Sequence, residues 1–111
     1  MTAATYVLHV VTGGARPGPV VVAVTGELDA TNAADFAEAT GNVPGTRPIV
    51  LDLSELDYLD SAGLATLDRL AGANSAVVVI PPSSPLFRAA ELMDLPRHET
   101  LEEALHAVEP G

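Results

Sequence analysis

The sequence predicts a single α/β domain over residues 1–111, with a mixed, mainly parallel sheet of four to five strands and about four helices. Two observations support this fold class. Apolar runs rich in β-branched residues, most clearly Ile49 to Leu53 and Val77 to Ile80, have the composition of buried strands. Segments with apolar residues at helical spacing alternate with these runs. Such alternation favours parallel strands joined by right-handed crossovers.

The first two strands are predicted to form a hairpin. Thr5 to Val11 and Val20 to Val24 are apolar and β-branched, and the loop between them at 12–19 is rich in Gly and Pro. The segment Gly26 to Asp29 is expected to leave the second strand. Thr31 or Asn32 then caps a short helix that continues to about Thr40.

The central segment predicts a strand that ends at acidic residues and is followed by a helix. The strand Ile49 to Leu53 has enough β-branched and apolar residues to be covered on both faces of the sheet. Asp57, Asp60 and Ser61 interrupt the apolar pattern, which resumes at helical spacing from Ala62 to Ala71. Ser61 is therefore predicted to be the N-cap of that helix.

The last third of the chain predicts one further strand and two helices. Val77 to Ile80 is a continuous apolar strand, and Ser84-Pro85 begins a helix that carries Leu92 and Met93 among its apolar residues. Arg97 to Glu99 is predicted to be a short edge strand. Thr100 and Glu103 have the spacing of a capping box for the last helix.

Charge and composition exclude several functional classes. The net charge is −10, and the five basic residues are all arginines, so binding to nucleic acid or to an anionic membrane surface is not expected. The same acidity suits a basic partner, although it also serves to keep a small domain in solution. The chain has no cysteine, which excludes disulfides, thiolate metal sites and thiol nucleophiles.

No segment predicts membrane insertion or export. Apolar runs are shorter than a membrane span, and the first eleven residues lack the basic region and cleavage site of a secretory signal. A cytoplasmic location without direct membrane contact is therefore expected.

Four carboxylates are predicted near one edge of the sheet, namely Glu27, Asp29, Asp57 and Asp60. One interpretation is a divalent-metal pocket for phosphoryl transfer, but such pockets usually include a lysine and this chain has none. Turn and cap chemistry is the preferred interpretation. Without a metal site, a G-x-S-x-G elbow or a Gly-rich phosphate loop before a helix, neither enzyme activity nor a cofactor is predicted.

Ser61 allows two interpretations from the residues alone. It is a structural N-cap, worth about 1 kcal/mol, or it is a site of phosphorylation, which adds roughly −1.5 to −2 charges. A phosphate there would lie at the positive end of the helix dipole and would act by disrupting a docking surface. Physical chemistry alone places the structural interpretation first.

Three segments resemble the STAS domain family of bacterial anti-sigma factor antagonists. Val22 to Ala30 resembles the family's strand followed by G-E-L-D-A. Ile49 to Ser54, followed by Leu59 to Leu64, resembles the central signature with its Asp-Ser-x-Gly-Leu motif. Leu86 to Leu95, with Thr100 to Leu105, resembles the closing helices. The resemblance covers nearly the whole chain in the same order.

The resemblance implies a STAS-like fold and a regulatory mechanism. An unphosphorylated antagonist binds an anti-sigma factor, often also a serine kinase with a histidine-kinase-like ATP fold, and frees the sigma factor. Phosphorylation of the motif serine, here Ser61, ends the binding, and a phosphatase restores it. The residues implied in partner binding are Asp29, Asp60, Ser61, Ala62, Gly63 and Leu64.

Ala62 departs from the family pattern, because a second Ser or Thr is common at that position and a second phosphorylation is excluded here. The helix after Ser61 is also expected to be several residues shorter than in the family. Two alternative functions keep the same fold. One is the STAS subunit of a transport complex, and the other is a sensor that binds a small ligand at Pro81 to Ser84.

Overall fold

The computed structural model describes residues 4–12 and 18–108 of the chain. This part contains five strands and four helices, which confirms the predicted mixed α/β fold. In chain order the elements are β1 (Tyr6–Thr12), β2 (Val21–Leu28), α1 (Ala33–Gly41), β3 (Ile49–Asp52), β4 (Leu56–Leu59), α2 (Ser61–Gly72), β5 (Ala76–Val79), α3 (Phe87–Leu92) and α4 (Leu101–Val108).

The sheet has the order β1-β2-β3-β5, with β4 also paired to β2. β1 is antiparallel to β2, as the predicted hairpin requires, although residues 13–17 of its loop lie outside the described residues. The other pairings are parallel. β2 serves two partners in succession, because its first half pairs with β3 and its second half pairs with β4.

The prediction that Gly26 to Asp29 leaves the second strand is wrong, since β2 continues to Leu28. Gly26 has φ +98° and lies so close to Thr5 and Tyr6 of the neighbouring chain segment that a Cβ would collide with their backbone. The register of the β2–β4 pairing shifts at this glycine, and the strand resumes beyond it. The sequence pattern suggests a turn at this glycine. In the structure, Gly26 is instead a point where two chain segments approach each other closely.

The sheet is covered by helices on both faces, as predicted for the central strand. In β3, Ile49 and Leu51 belong to the larger core cluster, which also contains Phe36 of α1 and Leu67 of α2. Val50 points to the opposite face and packs in a second cluster with Ala104 of α4. All three β3 residues are fully buried, which explains their continuous apolar run.

The start of α3 differs from the prediction, and its end is exposed. The helix begins at Phe87, because buried Ser84 instead accepts a hydrogen bond at Oγ from the amide of Leu86 (3.1 Å) and forms a preceding turn. Leu92 and Met93, the apolar residues at its end, are 71% and 59% exposed. The helix has only six residues, and Ala90 is the one that is buried. The residues at its end therefore lie outside the core.

The predicted edge strand at Arg97 to Glu99 is reduced to a single parallel bridge between Val79 and His98. The capping box of α4 is half formed. Thr100 Oγ1 accepts from the amide of Glu103 (3.1 Å), as predicted, but Glu103 Oε1 accepts from the amide of Glu99 rather than of Thr100.

Among residues 4–12 and 18–108, none of the helices combines the length and the apolar character that a transmembrane span requires.

Candidate functional site

The carboxyl ends of β2 and β4 bring Asp29 and Asp60 to the same edge of the sheet. Leu28 and Leu59 are partners in the parallel pairing, and the amide of Asp60 donates to the carbonyl of Leu28 (3.2 Å). Each aspartate is the next residue after its strand. The structure therefore places Ser61, which follows Asp60, beside the loop that begins at Asp29.

Asp60, and not Ser61, caps helix α2, so the predicted N-cap is wrong by one residue. Asp60 has an extended backbone, and its Oδ1 accepts a hydrogen bond from the amide of Gly63 (3.0 Å). The carbonyl of Asp60 accepts from the amide of Leu64 (2.9 Å). Asp and Ser are about equally good N-caps, so the sequence does not distinguish them; the backbone conformation at Asp60 does.

This arrangement leaves the Ser61 side chain at the surface. Ser61 is the first residue of α2 and is exposed. Its hydroxyl takes part in no side-chain hydrogen bond with any of the described residues. An exposed hydroxyl without a hydrogen bond is sterically available to a modifying enzyme. The Ser61 hydroxyl also lies at the positive end of a twelve-residue helix.

Gly63 lets the first turn of α2 approach the two strand ends closely. A Cβ at this position would lie 2.5 Å from Leu59 Cδ1 and 3.2 Å from Leu28 Cβ, both closer than side chains normally pack. Gly63 and Leu64 are buried, while Ala62 is half-buried. The glycine of the Ser-Ala-Gly-Leu segment therefore sets where Ser61 sits, by close packing of the helix on β2 and β4.

The loop after β2 is held by side chains that bond to the backbone. Asp29 Oδ1 accepts from the hydroxyl of Thr31 and from its amide (2.8 Å). These two bonds, with a smaller contribution from the amide of Asn32, lower the pKa of Asp29 below its ordinary value. Buried Asn32 uses its side chain to accept from the amide of Asp29 (3.0 Å) and to donate to the carbonyl of Glu27 (2.9 Å).

The same side chain of Asn32 corrects another prediction. Asn32 is the residue before α1, as expected, but its side chain makes no cap hydrogen bond. Because Asn32 Nδ2 bonds to the carbonyls of Ala4 (3.1 Å) and Glu27, it ties the start of α1 to the start of the chain and to β2. The side chain of Asn32 thus holds the loop that carries Asp29 through hydrogen bonds to Asp29, Ala4 and Glu27.

A groove opens beside Ser61, between α2 and the segment after α3. We call it the Ser61 groove; its volume is about 180 Å³ and it is lined by Ser61, Leu64, Ala65, Asp68, Met93 and Leu95. Leu64 and Leu95 are buried and form an apolar floor, whereas Asp68 and Met93 are exposed at the rim. The groove therefore offers an apolar depression with an acidic rim.

Sequence reasoning did not identify four of these lining residues. Ala65 and Asp68 follow Ser61 by four and seven positions, so helical periodicity could have placed them on the same face. Met93 and Leu95 come from a segment about thirty residues further along the chain. Their position depends on how α3 packs, and local sequence carries no signal for it.

The four predicted carboxylates do not form a metal centre in the described part of the chain. No group of three or more possible ligands among those residues could hold a metal ion. Asp29 and Asp60 accept hydrogen bonds from nearby backbone amides, while Glu27 and Asp57 are exposed. Turn and cap chemistry accounts for both aspartates that follow strands.

The comparisons with known proteins give one matching family model and several similar proteins. The model of the family described as "Mlab, STAS domain" matches residues 12–107. An anti-sigma-F factor antagonist, RsfB of Mycobacterium tuberculosis, is 34% identical over 85% of this chain and 84% of its own length. Osmosensory protein A of the same species is 40% identical over 55% of this chain, and the match spans only 43% of that protein.

Two solved structures share the fold. An anti-sigma factor antagonist from Mycobacterium paratuberculosis superposes with a TM-score of 0.73 at 30% identity, covering 94% of each chain. The unphosphorylated form of the anti-sigma factor antagonist SpoIIAA has a TM-score of 0.52 at 24% identity, covering 94% of this chain and 96% of its own. The second likeness shows the fold alone.

Proposed function

Because the chain belongs to the STAS domain family, we propose that it is an anti-sigma factor antagonist, which binds an anti-sigma factor and thereby releases a sigma factor. Relatives that match most of its length carry that name. The observation that supports the proposal best is the exposed hydroxyl of Ser61 at the mouth of the Ser61 groove. The proposed docking surface, the Ser61 groove, and the modifiable hydroxyl of Ser61 are then adjacent.

The Ser61 groove suits a protein partner with an apolar side chain flanked by basic residues. The buried floor of Leu64 and Leu95 gives an apolar side chain a place to be desolvated. Asp68 at the rim, in a chain of net charge −10, favours basic side chains around that anchor and speeds association. Of the residues that the resemblance implies in binding, which are Asp29 and Asp60 to Leu64, Ser61 and Leu64 line this groove.

The regulation that we propose is phosphorylation of Ser61 by a serine kinase of the histidine-kinase-like type, reversed by a phosphatase. A phosphate adds roughly −1.5 to −2 charges at the groove mouth. It leaves the fold in place, because Asp60 supplies the helix cap and the helix dipole tolerates the charge. A partner would then have to desolvate a dianion beside an acidic rim, and binding is lost.

The test is a pull-down from lysate of the native host with three baits, namely the wild type, Ser61→Glu and Ser83→Glu. Ser83 is an exposed serine outside the Ser61 groove and is the matched control. The wild type and Ser83→Glu should recover an anti-sigma factor or kinase, and Ser61→Glu should not. Equal recovery by all three baits would keep the docking and exclude Ser61 as its switch. Recovery of a transport ATPase subunit in place of an anti-sigma factor would contradict the proposed function.

A further inference from the structure

A tight turn at the end of α3 forms one wall of the Ser61 groove. The amide of Leu95 donates to the carbonyl of Ala90 (2.9 Å), and the amide of Asp94 donates to the carbonyl of Glu91 (3.1 Å). With Asp94 at φ +55°, these two bonds form a Schellman motif. Leu95 and Ala90 are both buried, and they are the apolar pair that usually accompanies this motif. We call this segment, residues 90–95, the α3 turn.

The helix that leads into the α3 turn has few contacts of its own. It is six residues long, and Ala90 is the one that is buried. A helix so short depends on tertiary contacts rather than on its own hydrogen bonds. Asp94 also occupies the left-handed region, where glycine is the favoured residue. The position of the groove wall therefore depends on contacts from outside the α3 turn.

The side chain of Arg97 supplies such contacts. Its guanidinium carbon lies 5.0 Å from the centre of the Phe87 ring, and its Nη1 donates to the carbonyl of Leu95 (3.1 Å). Its Nη2 lies 4.0 Å from Glu91 Oε2, and because the Glu91 side chain is 56% exposed this ion pair contributes little. One side chain thus joins Phe87, the first residue of α3, to the turn at the other end of the helix.

The burial of Arg97 indicates that its guanidinium serves geometry rather than stability. The side chain is 19% exposed, and its Nε is buried without a hydrogen-bond partner among the described residues. A buried unpaired donor costs free energy that an apolar side chain of similar size would avoid. The guanidinium instead provides a flat group that stacks on Phe87 while it donates to the carbonyl of Leu95.

We propose that Arg97 is a positioning residue for the Ser61 groove, because it holds the α3 turn so that Met93 and Leu95 form the groove wall. Arg97 does not itself line the groove. Its substitution therefore changes partner binding through the turn and not by removing a contact. The inference rests on the proposed function for the identity of the partner, an anti-sigma factor.

Calorimetry with the anti-sigma factor compares the wild type with Arg97→Met and Arg88→Met. Arg88 is the matched control, because it lies on the same helix, is exposed, and its side chain makes no ion pair or hydrogen bond with the described residues. Each substitution removes one positive charge. Arg97→Met should raise the dissociation constant by more than about fivefold, or roughly 1 kcal/mol. Arg88→Met should leave it nearly unchanged.

Two further variants separate positioning from a general loss of stability. Leu105→Ala weakens the packing of α4 in the second core cluster and should lower the free energy of unfolding without changing the dissociation constant. Arg97→Lys keeps the positive charge but lacks the flat group, so it should bind about as weakly as Arg97→Met. If Arg97→Met does not fold, Arg97→Lys takes its place in each comparison.

Backbone NMR relaxation of the free chain tests the positioning without a partner. The order parameter of the Met93 amide should fall from about 0.85 in the wild type to below about 0.6 in Arg97→Met, and Arg88→Met should not change it. An unchanged order parameter in Arg97→Met, or an affinity equal to that of the wild type, would overturn the proposal. Failure of the wild type to bind an anti-sigma factor would contradict the proposed function instead, and the relaxation data would then decide whether Arg97 holds the turn.

Discussion

The carboxylate of Asp60 accepts the amide hydrogen of Gly63 (3.0 Å) and caps helix α2, so the neighbouring hydroxyl of Ser61 is not needed for the helix. Asp60 therefore supplies the stability of the helix end, and Ser61 is left free for the regulation that we propose. Because the Ser61 hydroxyl does not stabilise helix α2, it can be modified without unfolding that helix. The proposed switch therefore changes the surface of the protein and not its fold.

The first prediction concerns that division. Asp60→Ala should lower the free energy of unfolding by about 1 kcal/mol, because it removes the cap. Ser61→Ala should change it by less than about 0.5 kcal/mol, as for an exposed side chain without a bond. Urea denaturation of both variants measures the difference. Equal losses of unfolding free energy in the two variants, or a larger loss in Ser61→Ala, would show that Ser61 contributes to the helix cap.

The second prediction concerns the close packing at Gly63. Gly63→Ala should destabilise the protein by about 1 to 3 kcal/mol, because its Cβ would lie 2.5 Å from Leu59 Cδ1 and force the strand end or the helix to move. Gly72→Ala, at the other end of the same helix, meets no atom within 4 Å and is the control. It should be neutral or slightly stabilising in the same denaturation experiment. Similar effects of the two substitutions would contradict the packing argument.

The third prediction concerns the lowered pKa of Asp29. The ionised carboxylate is stabilised first by the Thr31 hydroxyl, so Thr31→Val should raise the pKa of Asp29 toward its ordinary value of 3.8. Since the pKa of the folded state is the lower one, the stabilisation is present above the unfolded-state pKa and is lost as pH falls through the folded-state pKa. The variant should therefore lose less stability on acidification than the wild type does.

A carboxyl-carbon NMR titration reports the pKa of Asp29 directly. Thr46→Val, at an exposed threonine in another loop, is the control and should leave that titration unchanged. An unchanged Asp29 pKa in Thr31→Val would show that the hydroxyl is not its main partner.

The fourth prediction concerns the wall of the Ser61 groove. Met93→Ala should weaken binding of the anti-sigma factor by more than about fivefold, or roughly 1 kcal/mol, because Met93 is the exposed apolar side chain on the rim. Leu92→Ala removes a neighbouring and more exposed side chain that does not line the groove. Calorimetry should show a smaller effect for Leu92→Ala. The reverse order would place the docking surface elsewhere on α3.

Much of this architecture could be predicted from local composition. β3 and β5 are buried on both faces, so their β-branched runs are continuous and unmistakable. β4 was not predicted, because only Leu56 and Leu59 face the core and the two residues between them are exposed. A four-residue strand with that pattern carries little periodic signal.

The candidate site shows the same limit. The Asp-Ser-x-Gly-Leu motif identified Ser61 as the residue of interest, yet the sequence could not assign the cap between two adjacent good cap residues. Met93 follows the last residue of the short helix α3 and is exposed. Its place opposite Asp68 depends on tertiary packing, which no local pattern encodes.

Control of docking by Ser61 is tested most directly by one measurement. The full chain, unphosphorylated and carrying phosphoserine at position 61, is titrated with its anti-sigma factor by calorimetry. The proposed function predicts tight binding by the first form and loss of binding by the second, with both forms equally folded by circular dichroism. Equal affinity of the two forms would contradict the switch.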